Sequence, residues 1–448
     1  MPKKKTALTI EERLQQALVP AEEQPYEVPE NWVWVRLGAI AEIVTGGTPS
    51  KKHPEYYGGN FPFYKPSDLD QGRLTYDASE YLSEEGKNVS RIIPKNSTAV
   101  CCIGSIGKCG YLMCEGTTNQ QINSAIPKIN SLCLYYYLCT ENFVQDLLSM
   151  ASATTIAIVN KSKMESCAFP LPPLSEQQRI VERIEELLAK LDEAKERLQE
   201  VADSFAVRKA AILHNAFTGE LTKQWRRENG VSDESWEESN FGKFTVSQYG
   251  YTEKAHWEKV GPKFLRITDI QDNKVDWDEV PWCPIDEAGM KQYAVQIGDI
   301  MIARTGATTG KSYLICDDVE AVFASFLIRL KVVDKNLDYN YLYGYMQSED
   351  YWRQITDFSS GIAQPGVNAN KLKQIKFKCP SLPEQHEIVR LIDDLLARER
   401  AAQQVAEQAL ASIDLMKKSI LARAFRGELG TNKASEASAL ELLRQVLS

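Results

Sequence analysis

The 448-residue chain has no long hydrophobic run, and no segment approaches the roughly 18 consecutive apolar residues that a membrane-spanning helix needs. Its first residues, Met1 to Lys5, lack the apolar core of a secretory signal peptide. No two of its ten cysteines have Cys-x-x-Cys spacing, and its four histidines are scattered, so a structural zinc site has little support. These absences predict a cytoplasmic protein with free thiols, no metal centre and no membrane association.

Motifs for nucleotide binding and catalysis are also missing. The run from Arg304 to Ser312 ends in Gly-Lys-Ser like a phosphate-binding loop, but that motif requires glycine where Thr305 stands. The Asn-Pro-Pro-aromatic motif of amino-methyltransferases does not occur, nor do Gly-x-Ser-x-Gly and His-Glu-x-x-His. The sequence therefore predicts a binding protein without a cofactor of its own. A cryptic nuclease or nucleotide site stays open as an alternative.

The overall charge gives no indication of a nucleic-acid partner. The formal net charge is −9, and none of the segments defined below is basic overall. Total charge describes solubility and long-range field rather than local patches. Any DNA-binding surface must therefore be a local cluster of cations that acidic residues balance elsewhere.

An internal repeat is the most informative feature that the chain does contain. With a shift of 208 residues, segment 152–221 aligns with 360–429 without a gap, and 25 of the 70 paired positions are identical. Leu-Ser-Glu-Gln from Leu174 matches Leu-Pro-Glu-Gln from Leu382, and both copies close with Gly-Glu-Leu. The chain is an internal duplicate.

Each copy of the repeat predicts one long helix. Two pairs fit capping boxes, Ser175 with Gln178 and Ser381 with Glu384, while Gly219 and Gly427 stand where a left-handed C-terminal cap belongs. Apolar residues alternate spacings of four and three, as in a coiled-coil seam, at Ile180, Ile184, Leu187, Leu191, Ala194, Leu198, Val201 and Phe205. In the second copy, Glu399 interrupts the seam. We expect the two helices to pair as an antiparallel coiled coil; separate packing of each helix on its own domain is the alternative.

The segments between the helices contain short aromatic and β-branched runs broken by Gly, Pro, Asn and Asp, typical of mixed α and β domains. The predicted fold class is α+β: two α/β heads separated by two long helices, with a pseudo-two-fold internal repeat. The predicted segments are an N-terminal helical segment 1–29, a first head 30–173, a first spacer helix 174–221, a second head 222–380, a second spacer helix 381–429 and a C-terminal helical tail 430–448.

These motifs resemble a known family. The segments 170–177 and 216–226, with the long helix between them, resemble the first conserved region of the specificity subunits of type I restriction-modification systems. Segment 381–429 resembles the second conserved region, and 264–270 and the turn at 46–49 resemble landmarks of the family's target-recognition domains. The resemblance covers nearly the whole chain.

The resemblance implies a non-catalytic subunit that binds double-stranded DNA. Each head would read one half of an asymmetric, interrupted target, and the paired helices would set the gap between the halves. The partners would be two modification subunits, which use S-adenosylmethionine to methylate adenine, and two restriction subunits, which use ATP and Mg²⁺ to translocate and cleave DNA. A coiled-coil scaffold whose heads bind proteins without DNA specificity is the alternative.

Heads that read a sequence need polar and cationic side chains on loops, for base edges and for phosphates. The first-head candidates are Thr48, Ser50, Lys51, Lys52, Lys65, Ser67, Ser105, Lys108, Asn119, Gln120, Gln121 and Asn160. The second-head candidates are Tyr249, Tyr251, Arg266, Thr268, Arg304, Thr305, Thr308, Lys311, Gln364, Asn368 and Asn370.

Structural alternatives accompany several of these residues. The amides of 119–121 suit bidentate pairing with adenine, but capping a buried turn is equally open. Asp68 and Asp269 are expected to cap turns rather than to read cytosine. Three aromatic residues near the helix ends, Phe217, Trp225 and Phe425, are candidates for docking partner subunits, with burial in the chain's own core as the alternative.

Overall fold

The computed structural model describes residues 9–71, 74–152, 157–271, 273–359 and 366–448. The chain forms two compact units: unit 1 runs up to Leu198 and includes Gln408–Ser448, and unit 2 comprises Gln199–Glu407. Each unit contains one head and parts of both long helices. Within the described ranges, no helix is long and apolar enough to cross a membrane. The boundaries of the six segments expected from the sequence stay a prediction.

The first head surrounds a five-stranded sheet of order β2-β9-β6-β7-β4, with a second sheet β5-β3-β8 and an antiparallel pair β1-β10. Its strands are β1 (Val33–Arg36), β2 (Ala41–Thr45), β3 (Tyr57–Tyr64), β4 (Leu74–Thr75), β5 (Glu80–Leu82), β6 (Thr98–Cys101), β7 (Cys109–Leu112), β8 (Thr117–Thr118), β9 (Ile122–Pro127) and β10 (Ala168–Leu171). The helices up to the first long helix are α1 (Ile10–Ala17), α2 (Leu37–Ile40), α3 (Glu84–Asn88), α4 (Ser131–Leu138), α5 (Glu141–Ser149), α6 (Lys161–Ser166) and the long α7 (Leu174–Thr218).

The second head surrounds a four-stranded sheet of order β12-β19-β16-β17. Its strands are β11 (Glu237–Asn240), β12 (Thr245–Tyr249), β13 (Lys263–Leu265), β14 (Ile270–Gln271), β15 (Lys274–Val275), β16 (Ile300–Ala303), β17 (Ser312–Leu314), β18 (Ala321–Phe323), β19 (Leu327–Val332) and β20 (Lys376–Cys379). The remaining helices are α8 (Lys223–Asn229), α9 (Phe241–Phe244), α10 (Glu287–Tyr293), α11 (Tyr339–Tyr345), α12 (Glu349–Ser359), α13 (Ala369–Gln374), the long α14 (Leu382–Ala424) and α15 (Ala439–Leu447).

The two heads share one topology. The order and the antiparallel pairing of β12-β19-β16-β17 repeat those of β2-β9-β6-β7. The parallel pair β3-β8 corresponds to the parallel pair β13-β18, and the antiparallel pair β1-β10 corresponds to β11-β20. The duplication therefore extends through the heads, although their sequences differ widely.

A buried glutamine at the start of each long helix ties that helix to its head. The side-chain oxygen of Gln177 accepts a hydrogen bond from the backbone N–H of Asn130 at 3.1 Å, and that of Gln385 accepts one from Asp338 at 2.8 Å. Asn130 and Asp338 are themselves the N-caps of α4 and α11. The repeated Glu-Gln dipeptide therefore positions the equivalent helix of each head.

The two long helices pack antiparallel, as the apolar seams predict. In unit 1, Lys417 of α14 pairs with Asp192 of α7 at 2.5 Å. In unit 2, Arg208 of α7 pairs with Glu399 of α14 at 2.8 Å. Later residues of α7 thus meet earlier residues of α14, and the direction of the pairing is confirmed.

The ion pair between Arg208 and Glu399 also explains why an acidic residue interrupts the seam. Glu399 is only partly exposed, and the Arg208 guanidinium that it binds lies over the ring of Phe205 at 4.5 Å. The carboxylate therefore replaces an apolar contact with an ion pair that is itself packed on the aromatic side chain of the first helix.

A buried glutamate near the start of α7 joins it to the chain that follows α14. The Glu176 carboxylate accepts hydrogen bonds from Trp32 Nε1 at 2.7 Å, Thr431 Oγ1 at 3.2 Å and Asn432 Nδ2 at 2.9 Å. Thr431 and Asn432 follow the end of α14, and Trp32 directly precedes β1. Burying a carboxylate without such donors costs on the order of several kcal/mol of folding free energy, which is comparable with the net stability of a whole domain. We call this arrangement the Glu176 clamp.

The same arrangement recurs 208 residues later with the helices exchanged. The Glu384 carboxylate near the start of α14 accepts hydrogen bonds from Trp236 Nε1 at 3.0 Å, Thr222 Oγ1 at 2.7 Å and Arg226 Nη1 at 2.7 Å. Thr222 and Arg226 follow the end of α7, and Trp236 directly precedes β11. In this Glu384 clamp a guanidinium stands where the Glu176 clamp has an amide.

The ends of the long helices correct one expectation and confirm another. Both capping boxes predicted for the long helices are wrong. The Glu384 carboxylate accepts its hydrogen bonds within its clamp rather than from the backbone of residue 381. Ser175 lies inside α7, and the Gln178 side chain bonds to Asn130 and Glu182. The glycine caps are confirmed: Gly219 and Gly427 follow the helices with φ of 87° and 74°, in the left-handed region.

The core of unit 1 contains both terminal helices and the end of α14. Leu14 of α1, Leu443 of α15 and Phe425 are buried in one hydrophobic cluster. Phe217, in unit 2, is half-buried with its ring 5.4 Å and 5.5 Å from those of Tyr341 and Tyr345. Of the two interpretations open for Phe425, burial in the chain's own core is confirmed. Phe217 packs on the second head.

The clamp makes a prediction for stability. Glu384→Ala leaves Arg226 without its buried counter-charge, so we expect the free energy of unfolding to fall by about 3 kcal/mol. Urea unfolding followed by circular dichroism measures the change. The control is Glu193→Ala on the exposed face of α7, where the carboxylate forms a solvent-exposed ion pair with Arg197 and should matter little. Equal effects of the two substitutions would contradict the clamp.

Candidate nucleic-acid interface

Loops at one end of the central sheet of the first head come together. β2 and β6 end here, and β7 and β9 begin here. Backbone hydrogen bonds of 2.8 to 3.0 Å join Gly47 to Thr118, Asn119 to Tyr64 and Cys102 to Gln121, and a further bond joins residues 159 and 102. We call the surface formed by loops 45–52, 64–70, 102–108, 118–121 and 157–160 the first edge.

Every candidate of the first head lies on the first edge. They are Thr48, Ser50, Lys51, Lys52, Lys65, Ser67, Ser105, Lys108, Asn119, Gln120, Gln121 and Asn160. The Thr48 hydroxyl donates to the side-chain oxygen of Gln120 at 2.5 Å, which holds two of these loops together.

The lysines of the first edge differ in their availability. Lys65 and Lys108 are already paired with carboxylates at 2.7 Å and 2.5 Å. Lys51 and Lys52 are exposed and have no ion-pair partner among the residues that the structure describes. Free cations on a loop suit phosphate contacts, so these two are the better candidates for holding a nucleic-acid backbone.

The amide run of the first edge divides into structural and exposed members. Asn119 is buried; its oxygen accepts from the Gln121 N–H and its amide donates to the Gln121 side chain, both at 3.0 Å. Gln120 is exposed. Closure of a turn therefore describes Asn119, while Gln120 remains open to a ligand.

The aspartates that follow β3 and β13 cap turns, as expected. Asp68 accepts hydrogen bonds from the backbone N–H groups of Lys65 at 2.7 Å and Ser79 at 3.0 Å. Asp269 accepts from the backbone N–H of Arg266 at 2.8 Å and also holds its guanidinium.

Unit 2 has an equivalent second edge, formed by loops 249–251, 266–269, 304–311, 324–326 and 366–370. β12 and β16 end here, and β17 and β19 begin here. Backbone hydrogen bonds join Tyr251 to Phe323 at 2.8 Å, Arg304 to Phe326 at 3.1 Å and Val367 to Arg304 at 2.9 Å.

The second edge brings together the described candidates of the second head. They are Tyr249, Tyr251, Arg266, Thr268, Arg304, Thr305, Thr308, Lys311, Asn368 and Asn370. Gln364 lies outside the described residues.

The second edge is built around Arg304. Its guanidinium lies over the Tyr249 ring at 5.0 Å and donates to the Ser325 carbonyl at 3.3 Å. Lys311 is exposed and has no ion-pair partner in the described part of the chain. Desolvation, followed by the nearby charge of Glu253, raises the pKa of the Tyr251 phenol, so the phenol keeps its proton and can donate a hydrogen bond.

Two candidate asparagines have a local structural role. The side-chain oxygen of Asn160 accepts the Lys163 N–H at 2.9 Å and caps α6, and that of Asn368 accepts the Lys371 N–H at 2.9 Å and caps α13. Their amide groups have no hydrogen-bond acceptor in the described structure.

Two exposed aromatic residues were missed by the sequence reasoning. Phe326, between β18 and β19 on the second edge, is 61% exposed, and Trp257, whose ring lies 5.6 Å from the Arg266 guanidinium, is 67% exposed. A search for polar side chains passes over both. A phenylalanine that precedes an apolar strand also has the pattern of a core residue, so the sequence offers no signal for its exposure.

The edges show no arrangement for metal chemistry. In the described ranges, no three histidine, cysteine, aspartate or glutamate side chains are grouped so that they could hold a metal ion. Backbone-fixed loops with cations, amides and hydroxyls are instead suited to contacts with phosphates and base edges.

A model of the type I restriction modification DNA specificity domain matches residues 29–203 and 235–408. The two matches span more than half of the chain, and each covers a head with part of a long helix, so the chain belongs to this family. The resemblance to specificity subunits of type I restriction-modification systems, drawn from the helix motifs, is confirmed.

Individual relatives are similar to this chain over most of its length. It is 27% identical over 430 residues to the type I restriction enzyme EcoBI specificity subunit of Escherichia coli, covering 90% of this chain and 87% of that protein. It is 24% identical over 421 residues to the EcoKI specificity subunit, also of Escherichia coli, covering 90% of each. The crystal structure of the HsdS subunit from Thermoanaerobacter tengcongensis shares the fold, with a TM-score of 0.67 at 19% identity over 91% of this chain and 99% of that one.

The two cap asparagines can be separated from base-reading residues by substitution. Asn160→Ala and Asn368→Ala should each lower the free energy of unfolding by about 1 kcal/mol, because each removes an N-cap acceptor. Asn160→Asp and Asn368→Asp retain that acceptor but lose the amide donor, so we expect wild-type stability. Thermal unfolding measures both, and a DNA-recognition change in a fully stable Asp variant would assign that amide to base reading instead.

Proposed function

We propose that this chain is the sequence-reading subunit of a type I restriction-modification complex, with the first edge reading one half of a bipartite DNA target and the second edge reading the other. The observation that supports this is a repeated sheet end with unequal side chains. An edge carrying Lys51, Lys52 and Gln120 corresponds to one carrying Arg304 and Tyr249. One scaffold filled twice with different polar residues suits two different half-sites, whereas identical edges would read a palindrome.

The net negative charge is compatible with this function. Lys51, Lys52 and Lys311 are exposed on the edges without ion-pair partners in the described ranges, while many other cations are neutralised by carboxylates. Phosphate contacts position a protein on a duplex, and base contacts specify the sequence. In this proposal the chain acts in the cytoplasm and is itself non-catalytic, and S-adenosylmethionine, ATP and Mg²⁺ belong to its partner subunits.

We propose that α7 and α14 set the gap between the two half-sites. The helices contain 45 and 43 residues. At about 1.5 Å per residue, each helix is roughly 65 Å long. Because a clamp joins the start of each helix to the chain after the other, lengthening only one of the two helices would strain both clamps. Their length is therefore a property of the pair, as half-site spacing is in other two-part DNA readers.

Coexpression with the modification subunit, followed by mapping of methylated adenines, tests the function and the helix spacing together. The wild-type chain should give one bipartite motif. Insertion of one heptad after Leu198 and one after Glu407 adds about 10 Å to each helix, so the gap should lengthen by roughly three base pairs at about 3.4 Å each.

The outcomes of this experiment separate the alternatives. A wild-type complex without any motif supports a coiled-coil scaffold that lacks DNA specificity. If the paired insertions leave the gap of the motif unchanged, the reading function stands, but the helices do not set the spacing between the half-sites. Insertion into α7 alone is the control, and it should destabilise the chain because it breaks the antiparallel register.

The long helices also offer matching sites for two copies of one partner. Val207 on α7 is 71% exposed, and Leu415, at the equivalent position 208 residues later on α14, is 68% exposed. Apolar side chains left in solvent at the same point of both repeats suit docking of two identical subunits. We propose that these are the two modification subunits, which in turn recruit two restriction subunits.

Charged substitutions test this docking. Val207→Asp and Leu415→Asp should each reduce the assembly from two modification subunits to one, because an aspartate desolvated in an apolar interface is costly. Native mass spectrometry of the copurified complex counts the subunits. Val333→Asp, at a valine that is 58% exposed in the second head, should leave both in place. Retention of two subunits by the Val207 and Leu415 variants would place the docking surface elsewhere.

A further inference from the structure

The register of the strands gives a residue-by-residue correspondence between the two edges. The first residue of β9 faces the last residue of β6, and the first residue of β19 faces the last residue of β16. Gln121 and Phe326, which directly precede β9 and β19, therefore hold the same place. Their carbonyls accept equivalent hydrogen bonds, from the Cys102 N–H at 2.8 Å and from the Arg304 N–H at 3.1 Å.

Phe326 is held in the open by its backbone. The preceding Ser325 N–H donates to the Tyr251 carbonyl at 2.8 Å, and the following Leu327 N–H donates to the Ala324 carbonyl at 2.9 Å. Phe326 is 61% exposed although it stands between two buried strands. A rigid loop thus presents an apolar ring at the point where the first head presents an amide.

The neighbours of Phe326 place this ring in a surface otherwise suited to DNA. Arg304, bonded to its carbonyl, and Lys311 of the same loop supply the cations, and the phenol of Tyr251 supplies a donor. Among the base edges of the major groove, the 5-methyl group of thymine is the apolar feature that a phenyl ring can contact.

From this correspondence, and resting on the proposed function, we propose that Phe326 reads the methyl group of a thymine in the half-site of the second head. The side-chain oxygen of the equivalent Gln121 already accepts a hydrogen bond from the Asn119 amide at 3.0 Å, so Gln121 reads its base through its amide N–H donors. A change from amide to phenyl at one fixed position then changes the base that is read without changing the backbone, and it makes Phe326 a specificity-determining residue.

Methylation mapping and binding by the complex with the modification subunit test this proposal. In the Phe326→Ala complex, one thymine position of one half-site should become degenerate while the other half stays intact. A duplex with deoxyuridine at that thymine should bind the wild-type complex about fourfold more weakly, as expected for one methyl group. The Phe326→Ala complex should bind the thymine and deoxyuridine duplexes equally.

Two matched variants sharpen the result. Gln121→Ala, at the equivalent place, should relax a position in the opposite half-site. Val333→Ala, at an exposed valine just beyond the other end of β19, should change neither half.

Several outcomes would overturn the proposal while leaving the reading function intact. They are a half-site for the second head without thymine, an unchanged motif in Phe326→Ala, and equal deoxyuridine losses in both complexes. If the ring instead inserts between bases, Phe326→Ala lowers binding to the thymine and deoxyuridine duplexes by the same factor. The wild-type and variant complexes then show the same loss on deoxyuridine, which is the third outcome. By contrast, a wild-type complex that yields no bipartite motif fails the proposed function itself.

Discussion

The fold of each unit depends on one buried carboxylate at the start of a long helix. Glu176 and Glu384 accept hydrogen bonds from a tryptophan directly before the first strand of the head and from residues beyond the end of the opposite helix. A buried charge stripped of these donors is strongly destabilising, so the helix ends and the head must meet in one register. Burial of the apolar seam stabilises the pairing of the two helices, and the two clamps fix the register in which they pair.

The helices and their pairing were predictable because apolar periodicity is a local property of the sequence. The clamps were not, since a glutamate in the first turn of a helix has the pattern of an ordinary cap, and its partner Thr431 lies far along the chain. Glu399 illustrates the same limit. As a lone acid in an apolar seam it is unexplained until Arg208 of the other helix is found beside it. Local sequence patterns predict the helices and strands, whereas a residue that breaks such a pattern is explained only by a partner that is distant in sequence.

The heads show a further limit, because side-chain type does not report exposure. Lysines 51 and 52 were recognisable as available cations, but Asn119, chosen by the same criterion, is buried in the turn that it closes. Conversely, Phe326 has the sequence pattern of a core residue and stands in solvent. The shared topology was only suggested by a few ordered landmarks, since strand register depends on backbone pairing that tolerates almost any side chain. Equivalent positions become comparable only once that register is known.

The division of the chain between the two units also orders its folding during synthesis. Unit 2 is continuous, so a ribosome that has released residues up to 407 has delivered everything that the Glu384 clamp requires. Unit 1 is interrupted, and the residues that complete its clamp are made after all of unit 2. Until then Glu176 lacks the hydrogen bonds from Thr431 and Asn432, and the first part of α7 lacks its partner helix. Domains usually fold in the order in which they emerge, and here the chain of unit 2 becomes complete before that of unit 1.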